Sequence, residues 1–351
     1  MAVIRRLSFL DTIEAWRSSW RPDCAFHGRT AGDFRKWRKA FSRHYTAMMG
    51  EWPRRAGPAV KVLRRWTKPG YRLEKIVYTS SPHVHVPAYR LTPAWLKVGQ
   101  QVPGILAAHG HGAGKADISG MPLPKTTRNH LAFVQAHNYD YAVQAARHGY
   151  VVIAPDWIPF GERALPPNYI RTWRDACDVA SMASLYFGIS ILTQNVWDGM
   201  RAVDLLSRDP HVDARRLGVI GLSYGGTMTS HLLVNDPRLK VGVVSGYVST
   251  VREDALTRER TMNSCGAQHL PGLLRHGDLP EVLGLAAPKP MLCEVGTHED
   301  CFHFPDMKRA FARLSRIYAA AGATDRLEAD VFVGKHMWSG RKAWSFLEKW
   351  L

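Results

Sequence analysis

The sequence predicts an α/β fold, a mostly parallel sheet covered by helices on both faces, with a helical basic extension in front of it. Three observations predict it. From Val102 onward short apolar runs alternate with helix-compatible segments, the pattern of strands buried on both faces. The run Leu217-Gly218-Val219-Ile220 feeds Gly221-Leu222-Ser223-Tyr224-Gly225-Gly226 and then a helix-compatible stretch, the strand, sharp turn and helix of a nucleophile elbow. A chain of 351 residues, 46% apolar, is long enough for one large domain with a full core.

In chain order, residues 1–70 read as a helical cap and residues 71–351 as the catalytic domain. Leu10-Ile13-Trp16-Trp20 and Phe34-Trp37-Phe41-Tyr45 have helical spacing, broken by Arg21-Pro22-Asp23 and Gly28. Trp52-Pro53, Gly57-Pro58 and Pro69-Gly70 mark a loop-rich passage. Leu73–Tyr78 and Val86–Leu91 are expected as two strands joined by Ser80-Ser81-Pro82. The alternation that follows places strands at Val102–His109, Tyr150–Pro155, Leu217–Gly221, Val241–Ser245, Met291–Val295 and Leu327–Val333. Helices fall at Asn129–His148, Ile189–Ser207, Thr227–Asn235, Phe304–Ala321 and Arg341–Leu351. The stretch 253–285 is too long for a simple connection and is expected as a lid or one wall of a pocket.

The net charge of +17 is uneven: residues 1–72 hold 17 Lys/Arg against 5 Asp/Glu, and the other 279 hold 30 against 25. A basic segment of this kind can contact nucleic acid or an anionic surface. Trp16, Trp20, Phe34, Trp37 and Phe41 give it apolar material to bury, so a solvated helical face, or an arm on a second copy in a homo-oligomer, is the expected role. Nucleic acid is not expected as a partner. No run has the length of a membrane span and the first twenty residues lack a signal-peptide core, which predicts a soluble, cytoplasmic protein with no membrane partner. Five scattered cysteines without a C-x-x-C pair read as reduced thiols, not as a disulfide scaffold or a zinc site, and no metal is expected.

In a parallel sheet the reactive groups lie at the carboxyl ends of the strands. The loop His109-Gly110-His111-Gly112-Ala113-Gly114-Lys115 follows the first parallel strand, and its glycines let a backbone N–H approach a substrate; that donor is assigned to His111, with Gly112 as the alternative. A phosphate-binding loop is excluded because Ala116, not Ser or Thr, follows Lys115. His109 is expected to brace the loop, and neither it with His111 nor His83 with His85 has a third metal ligand near in sequence. Trp157 and Phe160 are expected to wall a substrate pocket, with Asp156, Glu162 and Arg163 holding that loop by ion pairing. Tyr247 and His269, with Gln268, are further candidate substrate contacts.

A serine hydroxyl needs a base to become a nucleophile, and the base needs a carboxylate to fix its tautomer. Ser223 is the candidate nucleophile and the Tyr224 N–H the second oxyanion donor. Glu299 and Asp300 follow one strand and His336 follows the last, so serine, acid and histidine come in the order this architecture requires.

With these loops in hand the sequence resembles the α/β-hydrolase superfamily, in its dienelactone-hydrolase-like and acetyl-xylan-esterase-like branch. The likeness covers roughly residues 70–351. It is carried by His109-Gly110-His111-Gly112, Asp156 with Gly161-Glu162-Arg163, Asp213 with Arg216-Leu217-Gly218-Val219, the elbow, Ala287-Pro288-Lys289-Pro290 and Gly334-Lys335-His336. The resemblance implies hydrolysis of a small-molecule carboxylic ester without metal or organic cofactor. Family members commonly place an aspartate three residues after the glycine of the acid turn; here Glu299 stands there and Asp300 follows, with the preference slightly toward Glu299. Gly-x-Ser-Tyr-Gly-Gly also resembles prolyl-oligopeptidase-type peptidases, but some seventy preceding residues are too few for their propeller. Glucuronoyl esterases are similar too, with Arg where this chain has Tyr224. Amide hydrolysis or acyl transfer on the same triad, or nucleic-acid binding by an inactive hydrolase fold, are the competing readings.

Overall fold

A computed structural model describes residues 8–57, 59–123, 127–171, 173–256 and 265–351. Two helices open the chain, α1 (Phe9–Ser19) and α2 (Ala31–Met49), capped by Ser8 with Asp11 and by Thr30 with Asp33 in reciprocal side-chain-to-backbone bonds. Strands β1 (Val60–Lys68), β2 (Tyr71–Ser81), β3 (Val84–Pro93) and β4 (Val102–Ala108) follow. Then come α3 (Lys115–Ile118), α4 (Thr127–Ala136), α5 (Tyr141–Arg147), β5 (Val151–Pro155), α6 (Ala176–Leu185), α7 (Ile191–Leu206), β6 (Val212–Leu222) and α8 (Tyr224–Asn235). The chain ends with β7 (Leu239–Ser245), α9 (Leu273–His276), α10 (Leu279–Gly284), β8 (Met291–Gly296), α11 (Phe304–Ala320), β9 (Leu327–Phe332) and α12 (Ala343–Trp350).

One nine-stranded sheet has the order β1-β2-β3-β5-β4-β6-β7-β8-β9. The three pairings at the β1 end are antiparallel and the other five parallel. Side chains alternate across it as the pleat requires: Leu217 and Val219 of β6 join one core, and Ile220 and Leu222 the other. The strand order puts β6 near the middle, so the turn at its end opens onto the crevice beside β4, where the connections diverge to opposite faces.

The structure differs from the sequence reading in four places. Residues 60–68, read as part of a loop-rich passage, form the edge strand β1, whose mostly exposed side chains give no burial signal. The helix expected over Asn129–His148 is two helices, broken at Asn138, which takes a left-handed φ of 51° that asparagine tolerates. Residues 176–185, not assigned, form α6, where Met182 and Leu185 face outward and blur the helical stripe. The stretch 253–285 is not a uniform lid: all six residues of α10 are buried in the core, while 257–264 lie outside the described residues.

The N-terminal extension packs on its own chain. Phe34, Trp37, Phe41, Tyr45 and Met49 of α2 recur at helical spacing and are all buried, the Trp37 indole lying over Gly284 of α10 beside Ile317 of α11. Each such side chain contributes about 1.5–3 kcal/mol on burial. Tyr45 Oη meets His231 Nδ1 at 2.7 Å, tying α2 to α8. Among the described residues no helix is long and apolar enough to cross a membrane.

Candidate active site

The turn at the end of β6 is built by crowding. Ser223 sits at φ 63°, ψ −122°, a region that L-residues enter only when the surroundings force it. The force is visible: a Cβ on Gly225 would overlap the Ala108 carbonyl of β4, so only glycine lets α8 start this close to the sheet. The Ser223 N–H donates to Ser245 O at 3.0 Å, which pins the turn to the end of β7.

Three strand ends then bring the candidate base to that turn. Thr297 N–H donates to Phe332 O and His298 N–H to Gly334 O, both at 2.9 Å, locking the loop after β8 to the loop after β9. In that frame His336 Nδ1 lies 2.7 Å from Glu299 Oε1, which also accepts the Cys301 N–H at 3.0 Å. The His336 ring packs on Gly246, one residue beyond the carbonyl that holds Ser223; a Cβ there would be 3.0 Å from its Cε1. His336 Nε2 is buried and has no hydrogen-bond partner among the described residues. Glu299 is buried and Asp300, next to it, is exposed and makes no described contact with His336.

Burial opposes a charge on His336. The nearby Cys301 sulfur and the hydrogen bond and negative charge of Glu299 outweigh it, and the imidazole is pushed up to about 10. Cys301, which the sequence reading passed over, lies with its sulfur within 4.8 Å of the Glu299 and His336 ligating atoms.

The glycine-rich loop after β4 lies against Ser223: a Cβ on Gly110 would meet Ser223 Cβ at 3.1 Å. Its N–H groups divide into two sets. Gly110 N–H donates to Tyr139 Oη at 3.0 Å, Ala113 N–H to Asp117 Oδ2 at 2.7 Å and Lys115 N–H to Asp156 Oδ1 at 2.8 Å. Those of His111 and Gly112, like that of Tyr224, have no described acceptor. An N–H left unmade beside a strained serine is the donor type that a developing oxyanion needs. Tyr139 reaches the loop only because the chain breaks at Asn138; that break is the signal that would have found it.

His109 is fully buried, with Nδ1 2.7 Å from Gly110 O and Nε2 accepting the Trp157 N–H at 3.0 Å. Burial lowers its pKa, and the pattern needs the proton on Nδ1 of a neutral ring. Asp156 takes Lys115 Nζ at 2.5 Å and the Glu162 N–H at 3.0 Å, and Arg163 donates to Asp198 at 2.7 Å, so these charges shape the loop. Trp157, expected in a pocket wall, is instead wholly buried: its ring packs at 6.0 Å on His109, and only its backbone N–H supports the site. Phe160 stands between His111 and Tyr224, with centroids at 5.2 and 5.4 Å. The Tyr224 hydroxyl is held by Asn195 Nδ2 at 2.7 Å, a support the sequence reading did not single out.

Tyr247 and His269 line a cavity of about 790 Å³ with Gln268, Phe302, Trp16 and Trp20. It adjoins the candidate site through Phe302, whose ring is 6.2 Å from that of His336, and through Gly226, where a Cβ would meet Tyr247 Cβ at 2.7 Å.

Residues 4–342 match the model of the Abhydrolase family. The chain belongs to that family. Among curated proteins, the candidate hydrolase YtaP of Bacillus subtilis (strain 168) is 27% identical over 319 residues, 87% of this chain and 96% of its own. Among solved structures, a candidate acetyl xylan esterase of Bacteroides fragilis superposes with a TM-score of 0.75 at 22% identity, over 93% of this chain and 83% of that one. A glucuronoyl esterase of Solibacter usitatus gives 0.65 at 16%, over 94% and 97%. Membership of the Abhydrolase family and these neighbours establish the α/β-hydrolase fold expected from the elbow and loops.

Proposed function

We propose that this protein hydrolyses carboxylic esters through an acyl-enzyme on Ser223. The reading is carried by one observation: the 2.7 Å pairing of His336 Nδ1 with Glu299, on a ring packed beside the strained serine with its other nitrogen unengaged. Ser223 Oγ attacks the ester carbonyl carbon while His336 Nε2 takes the hydroxyl proton. Glu299 holds the Nδ1 proton and stabilises the imidazolium that forms. The carbonyl oxygen, now an oxyanion, receives the N–H groups of Tyr224 and His111, with Gly112 as the alternative to His111. His336 returns the proton to the departing alcohol oxygen, and water, activated by the same nitrogen, releases the carboxylic acid.

The solved structures named as acetyl xylan and glucuronoyl esterases make carbohydrate-linked esters the first substrate class to try. Tyr224 follows the serine where glucuronoyl esterases resembling this chain carry Arg, so the chain departs from them beside the serine and acetyl esters come before uronoyl esters in the trial. Ser223→Ala, with thermal unfolding unchanged, is expected to lower kcat on p-nitrophenyl acetate by about 10⁴-fold or more. A fluorophosphonate probe is expected to label wild type and not the variant. Retained turnover in the folded variant removes the reading.

A further inference from the structure

Three ligating atoms outside the triad converge where the loop after β4 meets α6. His111 Nε2 stands 3.1 Å from Cys265 Sγ, and these two atoms and Cys177 Sγ all lie within 4.8 Å of one another. Separate devices hold each arm. Cys177 is buried in the first turn of α6, its N–H donated to the capping Asp175 at 2.8 Å. Cys265 begins a short turn that the next residue anchors to the same helix: Gly266 N–H donates to Asp178 Oδ1 at 2.9 Å, and a Cβ on Gly266 would stand 3.1 Å from Cys177 O. The His111 ring is fixed edge-on between Phe160 and Tyr224, at 5.2 and 5.5 Å.

A tetrahedral zinc-type ion has bonds of about 2.3 Å to sulfur and about 2.0–2.1 Å to imidazole, so its ligand atoms sit about 3.4–3.8 Å apart. The 3.1 Å between His111 and Cys265 and the 4.8 Å bound on the other two separations bracket that range, so shifts of about 1 Å or less bring the three atoms to it. We propose that His111, Cys177 and Cys265 form a binding site for one thiophilic divalent cation of the zinc type, with a fourth position open to water. The donor set is chemically apt: two sulfurs and one imidazole are the ligands such ions prefer, and two thiolates balance the charge of the ion. On binding, the thiol protons of Cys177 and Cys265 leave to solvent. The cluster escapes sequence reading because its members come from three segments, 66 and 88 positions apart, with no C-x-x-C spacing.

Ion binding is independent of the proposed esterase activity; its consequence for turnover rests on that activity. An ion held on the His111 ring fixes the loop that carries the proposed oxyanion donor, so Zn²⁺ is expected to inhibit reversibly, with recovery on adding a chelator.

The test uses the full chain, reduced and freed of metal with chelator. Titration with Cd²⁺ should raise an ultraviolet thiolate-to-metal charge-transfer band that saturates at one equivalent, and equilibrium dialysis should find one Zn²⁺ per chain. Cys177→Ser should weaken Zn²⁺ at least about tenfold and diminish the band, with ester turnover in the absence of metal unchanged. Should that buried substitution prevent folding, Cys265→Ser at a half-buried position carries the metal-binding test, read from Zn²⁺ affinity and the band alone. Cys301→Ser should retain the band, because the second cluster at Glu299, Cys301 and His336 is not the site. No band at one equivalent overturns the proposal. So does a band of full height in the Cys177→Ser, Cys265→Ser double variant.

Discussion

At the floor of the candidate site a methyl group on Gly225 would overlap the carbonyl of Ala108, whereas at its roof a methyl on Gly272 would meet nothing within 4 Å. The floor is the ends of β4, β6, β7, β8 and β9, where backbone touches backbone and the ends of β6, β7, β8 and β9 are each bonded to the next. The roof is α1, the turn at Val251–Ala255 and the segment from Cys265 to His276. It is held to the extension by a few bonds: the Trp20 indole to Leu274 O, Asp23 N–H to Arg275 O, and Cys24 N–H to His276 O. In the proposed reaction, chemistry that needs sub-ångström placement falls where the chain has least room, and the surface facing the cavity falls where it has more.

The largest effect expected beyond loss of the serine separates the two carboxylates of the floor. Glu299→Gln keeps the shape but loses the charge that fixes the Nδ1 proton, and should lower kcat by about 10³–10⁴-fold. Asp300→Asn, on an exposed neighbour, should change it by less than about threefold. Steady-state kinetics of the two variants decide between them; the reverse order would move the acid to Asp300.

Next in size is the contrast in packing. Gly225→Ala forces β4 and α8 apart and should cost about 3 kcal/mol or more, seen as insolubility or a large fall in Tm. Gly272→Ala has room, but its φ of +81° disfavours a side chain, so a loss of about 1 kcal/mol is expected. Denaturant unfolding measures both. Equal losses would show that floor and roof are equally constrained.

The same contrast explains what was legible in the sequence. The floor announces itself because close backbone approach demands glycine and the strands demand apolar runs. Gly221-x-Ser223-x-Gly225, the loop at His109 and the order of Ser223, the adjacent carboxylates Glu299 and Asp300, and His336 therefore stand out in the chain, with the choice between the two carboxylates left open. What the sequence hides is pairing across distance. Cys301 near His336, Tyr139 beneath Gly110 and Asn195 against Tyr224 are ordinary residues until the fold brings them together. Trp157 misled for the opposite reason: an aromatic residue in a loop after a strand has the composition of a pocket wall, and only the structure places its ring in the core.

The smallest expected effect concerns one of those hidden partners, Cys301. His336 must be neutral to accept the serine proton, and with its pKa pushed up to about 10 most rings are charged at neutral pH. In the proposed reaction kcat/KM should therefore climb as pH rises through the alkaline range, with the limb reporting the free-enzyme ring. The Cys301 sulfur favours the imidazolium, so Cys301→Ala removes a raising influence and the limb should move toward lower pH. Activity at pH 7 then rises, since a larger share of the rings can act as base. Glu299→Gln also lowers the ring's affinity for a proton, yet it frees the tautomer and loses activity, so the two substitutions shift pKa alike and rate oppositely. A pH–rate profile of the two variants beside wild type reads both quantities; a limb that stays in place in Cys301→Ala would show that Glu299 alone holds the ring's charge.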